Sequence, residues 1–203
     1  MIDPIAVRNL FGIEGLNINW YGIIAVSYTH LVGGNAMVKI CDLIEKMVDY
    51  DAGDMRRIPH FLKVYAYAKT IAELERLDEK TRYILELAAI VHDIGIKVSE
   101  QKYGNCLGKN QEKEGPMVAE QMLEKLGADE KTIERVCFLV SKHHTYGTDY
   151  GIDHQILIEA DFLVNAEEEH MKQETVVSVR ERVFKTASGT RFLNRLFGLD
   201  SLK

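Results

Sequence analysis

The sequence has few of the residues that build disulfide-rich or membrane proteins. Its three cysteines are widely spaced and include no Cys-x-x-Cys pair. Neither a disulfide framework nor a zinc ribbon is therefore expected, and a reducing compartment such as the cytoplasm fits best. No apolar run approaches the roughly 20 residues that a membrane-spanning helix needs.

The chain also has fewer basic than acidic residues. The chain has 25 lysines and arginines against 31 aspartates and glutamates, which gives a formal net charge of −6. Nucleic-acid backbones and anionic membranes are bound by basic surfaces. Neither a nucleic-acid polymer nor a membrane is therefore expected as a partner. With 203 residues, of which 46% are hydrophobic, the chain can bury the core of one ordinary domain.

Residues 1–31 differ from the rest of the chain. They hold the only tryptophan, Trp20, and almost no charge, and they lack the basic start of a signal peptide. Residues 1–25, through the stretch NINWYGIIA, resemble the start of prolipoprotein diacylglyceryl transferases. Residues 26–31, VSYTHL, resemble a translated sequencing adapter.

We interpret residues 1–31 as an extraneous segment of a chimeric gene model and residues 32–203 as the functional domain. A natural, poorly ordered amino-terminal extension is the alternative. Resequencing the locus from fresh DNA separates the two, because intact codons there would contradict the chimera.

In the rest of the chain, the apolar residues are spaced as in helices. Apolar residues recur with helical periodicity from Asn35 onward, and the alternation typical of strands is absent. Residues 83–91 are apolar nearly all round, as expected of a central buried helix. Asp78 and Asp129 can cap the helices that follow them, and residues 96–110 are expected to form a loop. We predict an all-α bundle of about eight helices, near residues 36–50, 58–77, 79–94, 111–126, 130–144, 153–168, 174–187 and 190–197.

Polar side chains interrupt the apolar faces of these helices. His60, His92, His143 and Asp161 each share a helix face with apolar residues. A single such histidine is more often a core residue held by a hydrogen bond. A buried aspartate without a partner, however, costs several kcal/mol. Together with Asp93, these side chains would most economically share a cation.

The adjacent pair His92-Asp93 makes this hypothesis more specific. Neighbouring residues on a helix point about 100° apart, so both can reach one ion only at a helix end. Gly95 predicts such an end two residues later. The series His60, His92-Asp93 and Asp161 resembles the His…His-Asp…Asp signature of the HD phosphohydrolase superfamily.

This resemblance covers about residues 36–199 and implies an HD-domain helical bundle. It implies one divalent metal ion held by His60, His92, Asp93 and Asp161, a ligand set that suits Mn²⁺, Fe²⁺, Co²⁺, Ni²⁺ or Zn²⁺ alike. It also implies a phosphohydrolase in which a metal-activated water attacks a small phosphorylated substrate, such as a nucleotide. Asp93 would both bind the metal and orient that water.

Lys97, just past the predicted helix end, is a further candidate catalytic residue. It could hold a phosphate, but the family's lysine often follows the glycine directly, and here Ile96 intervenes. A solvated surface lysine is the alternative.

The sequence Lys142-His143-His144 resembles the paired histidines of two-metal members of the superfamily. Those members usually have another histidine four residues before a glycine, where this chain has Gln111. One metal is therefore favoured, with His143 or His144 as a proton donor or phosphate contact. A second ion bound by His143 and Glu114 is the alternative.

Other functions stay open at this point. The chain could be a phosphodiesterase for cyclic or signalling nucleotides, although Thr145-Tyr146-Gly147 does not match the Gly-Tyr-Pro of the cyclic-dinucleotide branch. It could also be a non-catalytic module that binds a metal or nucleotide. The apolar stripe over residues 192–197 would close the core or form a homodimer, and the acidic residues 167–169 are interpreted as a solvated helix end.

Overall fold

The computed structural model describes residues 37–199. The described residues belong to one unit of the chain, which is separate from residues 1–36. The segment 1–31, and with it the chimera hypothesis, lies outside the described residues. None of the described helices is long and apolar enough to cross a bilayer.

The described part of the chain is helical throughout and contains no strand, which confirms the all-α prediction. Within residues 37–199 there are nine helices, one more than the approximate number predicted. In chain order they are α1 Ile40–Tyr50, α2 Arg57–Leu74, α3 Glu79–Val91, α4 Ile96–Tyr103, α5 Gly108–Lys125, α6 Glu130–Val140, α7 Ile152–Glu168, α8 Gln173–Val183 and α9 Ala187–Leu196.

The additional helix is α4, and the prediction of a loop over residues 96–110 is wrong for this stretch. The helix is short and mostly polar, so the sequence offers no apolar stripe to reveal it. It packs against α5 and ends at Gly104, whose left-handed φ of 66° is one that glycine adopts without steric cost.

Two predicted helix caps are confirmed. The Asp78 carboxylate accepts a hydrogen bond from the backbone N–H of Thr81 at the start of α3. At the start of α6, Asp129 accepts the equivalent bond from Thr132. Both caps satisfy an amide that the first turn of a helix leaves without an intrahelical partner.

Helix α3 is the central element of the core. Every residue of its second half, from Ile84 to Val91, is buried. It packs against α1, α2, α6 and α7, which together surround it. The prediction of a central buried helix is therefore confirmed, and the residues that follow Val91 emerge deep inside the bundle.

The apolar stripe of α9 in part closes the core. Leu193 is fully buried, and the ring of Phe192 lies edge-on to Tyr67 of α2 at 6.1 Å. Leu196 stays half-exposed. The homodimer stays a prediction.

The segment after α3 passes close to the backbone of α5 at Gly95. A Cβ built on Gly95 would lie 2.7 Å from the carbonyl oxygen of Gln111 and 2.8 Å from the amide nitrogen of Gly115. Both neighbours are backbone atoms, which cannot rotate away as a side chain can. Only glycine at position 95 allows this approach.

We therefore expect Gly95→Ala to destabilise the fold by about 1–3 kcal/mol, the usual cost of overpacking. It should also weaken metal binding, because it displaces the segment that carries His92 and Asp93. Chemical denaturation and calorimetric titration with Mn²⁺ measure the two effects.

Gly104→Ala is the matched control. It introduces backbone strain of about 1–2 kcal/mol at a left-handed residue but meets no neighbouring atom within 4 Å. If both variants bound Mn²⁺ as the unmodified protein does, the proposed link between this helix contact and the site would be wrong.

Candidate metal centre

Three separate parts of the bundle bring polar side chains to one point in the core. His60 lies in the first turn of α2, and Asp161 lies in the middle of α7. Helix α3 ends at Val91, so His92 and Asp93 stand at its carboxyl end, as the sequence predicts. The structure thus brings together the four residues that the superfamily resemblance assigns to a metal.

The four side chains approach one another through specific atoms. Nε2 of His60 lies 3.3 Å from Nε2 of His92, 3.2 Å from Oδ1 of Asp161 and 3.5 Å from Oδ2 of Asp93. Nε2 of His92 lies 3.4 Å from Oδ2 of Asp93 and 3.5 Å from Oδ1 of Asp161. We call these four residues the quartet.

The other nitrogen of each histidine is already engaged. Nδ1 of His92 lies 2.9 Å from the carbonyl oxygen of Ala89, which can only accept, so this nitrogen carries the proton. Nδ1 of His60 lies 2.9 Å from Oε2 of Glu168. In the neutral imidazoles the two Nε2 lone pairs therefore face each other across 3.3 Å.

This arrangement fits a divalent cation. Ligand atoms about 2.0–2.2 Å from an ion lie about 3.0–3.5 Å apart at octahedral or tetrahedral angles. The five distances given above fall in that range. The two imidazoles and two carboxylates of the quartet suit a transition metal. His60, His92 and Asp93 also offer ligand atoms within 4.8 Å of one another.

Without a metal, the quartet favours protons on its histidines. Burial opposes an imidazolium at His92, but Asp93 and Asp161 outweigh burial and raise its pKa well above the usual value. Burial likewise opposes an imidazolium at His60, and a hydrogen bond to Asp161 helps to raise that pKa. Against their own burial, the histidines lower the pKa of Asp93 and of Asp161. A metal must therefore displace protons when it binds.

His143 lies on the other side of Asp93. Its Nδ1 lies 2.6 Å from the carbonyl oxygen of Val140, which fixes the proton on that nitrogen. Its buried Nε2 makes no hydrogen bond within the described residues and lies 3.4 Å from Oδ1 of Asp93. Asp93 thus directs Oδ2 to the two histidines of the quartet and Oδ1 to His143.

His144 completes a second group with Asp93 and His143, whose ligand atoms lie within 4.8 Å of one another. Its Nε2 lies 3.2 Å from Oε1 of Gln111. Burial, with the neighbouring His143, lowers the pKa of His144 to about 4. His144 is therefore neutral near pH 7, which favours a hydrogen-bonding role over that of a charged proton donor.

The structure does not bring Lys97 into either group. Its amino group donates to the carbonyl oxygen of Tyr50 at 2.7 Å and lies 5.0 Å from the centre of the Tyr50 ring. Glu114, the alternative ligand for a second ion, is also absent from both groups. Its carboxylate accepts hydrogen bonds from Lys102 and from the hydroxyl of Tyr103 instead.

Glu168 is the residue whose role the sequence analysis missed. Its carboxylate accepts from Nδ1 of His60 and, through the other oxygen, from Lys63 at 3.1 Å. Residues 167–170 are exposed and α7 ends at Glu168, as interpreted, but the Glu168 carboxylate also contacts a metal-site histidine. The spacing held a signal, since Asp161, Asn165 and Glu168 recur at i, i+4 and i+7. Asn165 donates to Oδ1 of Asp161 at 2.8 Å.

A cavity of about 600 Å³ opens beside the quartet. His60, Asp93 and Asp161 form part of its wall, together with His144 and Tyr146. Its volume is that of a site for a small molecule. Any substrate that enters it meets the quartet directly.

Comparison with known proteins adds a family match. The model of the HD domain family matches residues 57–187, a range that contains all four residues of the quartet. No match was found among curated proteins or among solved structures.

Glu168→Ala should weaken the binding of Mn²⁺ by about 10- to 100-fold, because a metal-binding histidine loses the carboxylate that orients its ring. Isothermal titration calorimetry measures this change. Glu167→Ala is the matched control, since Glu167 bonds Lys63 at 2.9 Å but does not contact His60. Equal affinities for the two variants would contradict an orienting role.

The metal-free protein should lose stability as the pH rises above 6.5. Because the pKa values of His60 and His92 are raised, their contribution to folding is complete below the ordinary histidine pKa of 6.5 and is lost as each imidazolium deprotonates. The carboxylates, with lowered pKa values, contribute at any pH above 3.8 and do not change over this window.

Melting temperatures of the metal-stripped protein across this pH range test the expectation. In Asp161→Asn the decline should be shallower, because one of the charges that raises the histidine pKa values is gone. A decline of the same slope in both proteins would assign the pH dependence to other groups.

Proposed function

The chain belongs to the HD domain family, a superfamily of metal-dependent phosphohydrolases, and on that premise we propose that it hydrolyses a phosphate ester of a small metabolite, such as a nucleotide. The cofactor is one divalent ion. When bound, such an ion lowers the pKa of a water molecule and offsets negative charge on a phosphoryl group.

The observation that carries the proposal is the geometry of the quartet. The Nε2 atoms of His60 and His92 lie 3.3 Å apart, and each lies 3.2–3.5 Å from a carboxylate oxygen of Asp93 and of Asp161. The Nδ1 atoms are engaged elsewhere, so Nε2 is the only ring nitrogen left for a ligand. His60, His92, Asp93 and Asp161 would hold the ion.

Asp93 and His143 have the positions needed to handle a proton beside the ion. Asp93 offers Oδ2 to the quartet, and its Oδ1 lies next to Nε2 of His143. Because Nδ1 of His143 holds its proton against Val140, Nε2 is free to accept one. Asp93 would orient the attacking water, and His143 would take up a proton and return it to the leaving oxygen.

The cavity supports a small substrate that is held mainly at the ion. Two arginines, Arg56 and Arg57, line its wall. Arg57 donates to Glu100 at 2.6 Å, whereas the more exposed Arg56 is in position to guide an anionic substrate inward. Lys97, bonded to Tyr50, would support the cavity wall and not hold the phosphate.

Phosphate release by the full-length chain, loaded with Mn²⁺, tests the proposal. A panel of nucleotides and sugar phosphates provides the substrates. Asp93→Ala should lower the rate on any substrate that is turned over by at least about 100-fold, since it removes both a ligand and the residue that orients the water. Asp49→Ala, an exposed aspartate of α1, should leave the rate unchanged.

Two results would contradict the proposal, each in favour of a different function. Hydrolysis of cyclic or diester nucleotides to monoesters, detected as the monoester product and without phosphate release from the panel, would identify a phosphodiesterase. Mn²⁺ that raises the melting temperature without any turnover would identify a binding module.

A further inference from the structure

We propose that Asp51 determines substrate specificity by binding a hydrogen-bond donor, a hydroxyl or an ammonium group, on the organic half of the phosphate ester. This inference rests on the proposed function. It names a class of substrate for the same cavity: phosphate monoesters whose organic half presents such a donor.

Asp51 is a buried carboxylate that lacks a partner. The residue is 7% exposed and lies on the cavity wall that also contains Asp93 and Asp161. Within residues 37–199 its carboxylate makes no hydrogen bond and no ion pair, unlike nearby Asp54. Buried charged groups in native proteins are normally paired, so an unpaired one facing a cavity points to a ligand.

The two cations whose charges act on Asp51, Arg57 and Lys97, do not form an ion pair with it. Arg57 gives its hydrogen bond to Glu100 and lies 3.4 Å from Asp54. Lys97 gives its hydrogen bond to the carbonyl oxygen of Tyr50. Burial accordingly raises the pKa of Asp51, although the charges of Arg57 and Lys97 act in the opposite direction. The negative charge of the Asp51 carboxylate is thus only partly compensated by nearby positive charge.

The position of Asp51 relative to the quartet is fixed by its neighbour. Tyr50, the last residue of α1, donates from its hydroxyl to the carbonyl oxygen of Ile94 at 3.2 Å. Its own carbonyl accepts from Lys97 at 2.7 Å. Both bonds reach the segment that directly follows Asp93, so the end of α1, which carries Asp51, is held against the segment next to the metal ligands.

The chemistry of this end of the cavity restricts what can bind there. Ionised, Asp51 can only accept hydrogen bonds. Among the described residues the cavity wall holds seven acidic side chains and two arginines. A second phosphate beside Asp51 would be repelled, whereas a sugar hydroxyl or an ammonium group would supply the missing donor. The phosphate would therefore lie at the ion and the donor at Asp51.

Three phosphate monoesters test this assignment on the Mn²⁺-loaded protein. p-Nitrophenyl phosphate has no donor in its organic half, ribose 5-phosphate carries hydroxyls, and phosphoethanolamine carries an ammonium group. Asp51→Ala should lower kcat/KM about 10- to 100-fold for at least one donor-bearing ester, which corresponds to one hydrogen bond with a charged acceptor. It should change kcat/KM for p-nitrophenyl phosphate by less than about threefold, because no bond is lost.

Asp51→Asn separates the two kinds of donor. The amide oxygen still accepts a hydrogen bond from a hydroxyl, so ribose 5-phosphate should keep most of its kcat/KM. An ammonium group loses its ionic partner, so phosphoethanolamine should be affected as strongly as in Asp51→Ala.

Melting temperature gives a readout that does not depend on activity. Asp51→Ala should leave it unchanged or raise it, because an unpaired buried charge is removed. Asp54→Ala is the matched control and should lower it, since Asp54 accepts from the amides of Arg56 and Arg57 at the start of α2.

Two outcomes would overturn the inference alone: equal losses of kcat/KM on all three esters, or a melting temperature that falls as far as in Asp54→Ala. If the unmodified protein hydrolysed neither these esters nor any other in the panel, the proposed function would fail first and this inference with it.

Discussion

The close approach of two imidazole nitrogens is the constraint on which the rest of this bundle depends. Nε2 of His60 and Nε2 of His92 lie 3.3 Å apart, and the other nitrogen of each ring is already bonded. Two lone pairs at that distance repel unless positive charge lies between them. Protons supply it in the metal-free protein and a metal ion would supply it otherwise, so cation binding and stability are linked.

The surrounding helices keep these two imidazoles buried and close together. The second half of α3, from Ile84 to Val91, is buried throughout and apolar except for Glu86, and this places His92 in the interior. Gly95 lets the segment after α3 pass against the backbone of α5. A bundle packed in this way cannot spread to relieve the repulsion, because interiors are close-packed and resist small displacements.

Local patterns in the sequence predict most of the metal-site residues. Most of the contacts that these patterns do not predict are made by long side chains. Helical spacing identifies His60, His92 and Asp161 because each short side chain points where its Cβ points. Lys97 and Glu168 have several rotatable bonds, so their sequence positions do not determine whether they reach Tyr50 or His60. Helix α4 escapes prediction for a different reason: its stability comes from packing on α5, not from its own pattern.

Most of the buried negative charge on the cavity wall is compensated by neighbouring side chains. The quartet's two carboxylates are compensated by its histidines or by an ion, and Glu168 is compensated by His60 and Lys63. Asp51 is the buried carboxylate on this wall that no described side chain bonds. Since a fold gains nothing from burying an unpaired charge, a ligand in the cavity is the partner we infer for this carboxylate. One phosphate at the ion and one donor at Asp51 would satisfy both ends of the site.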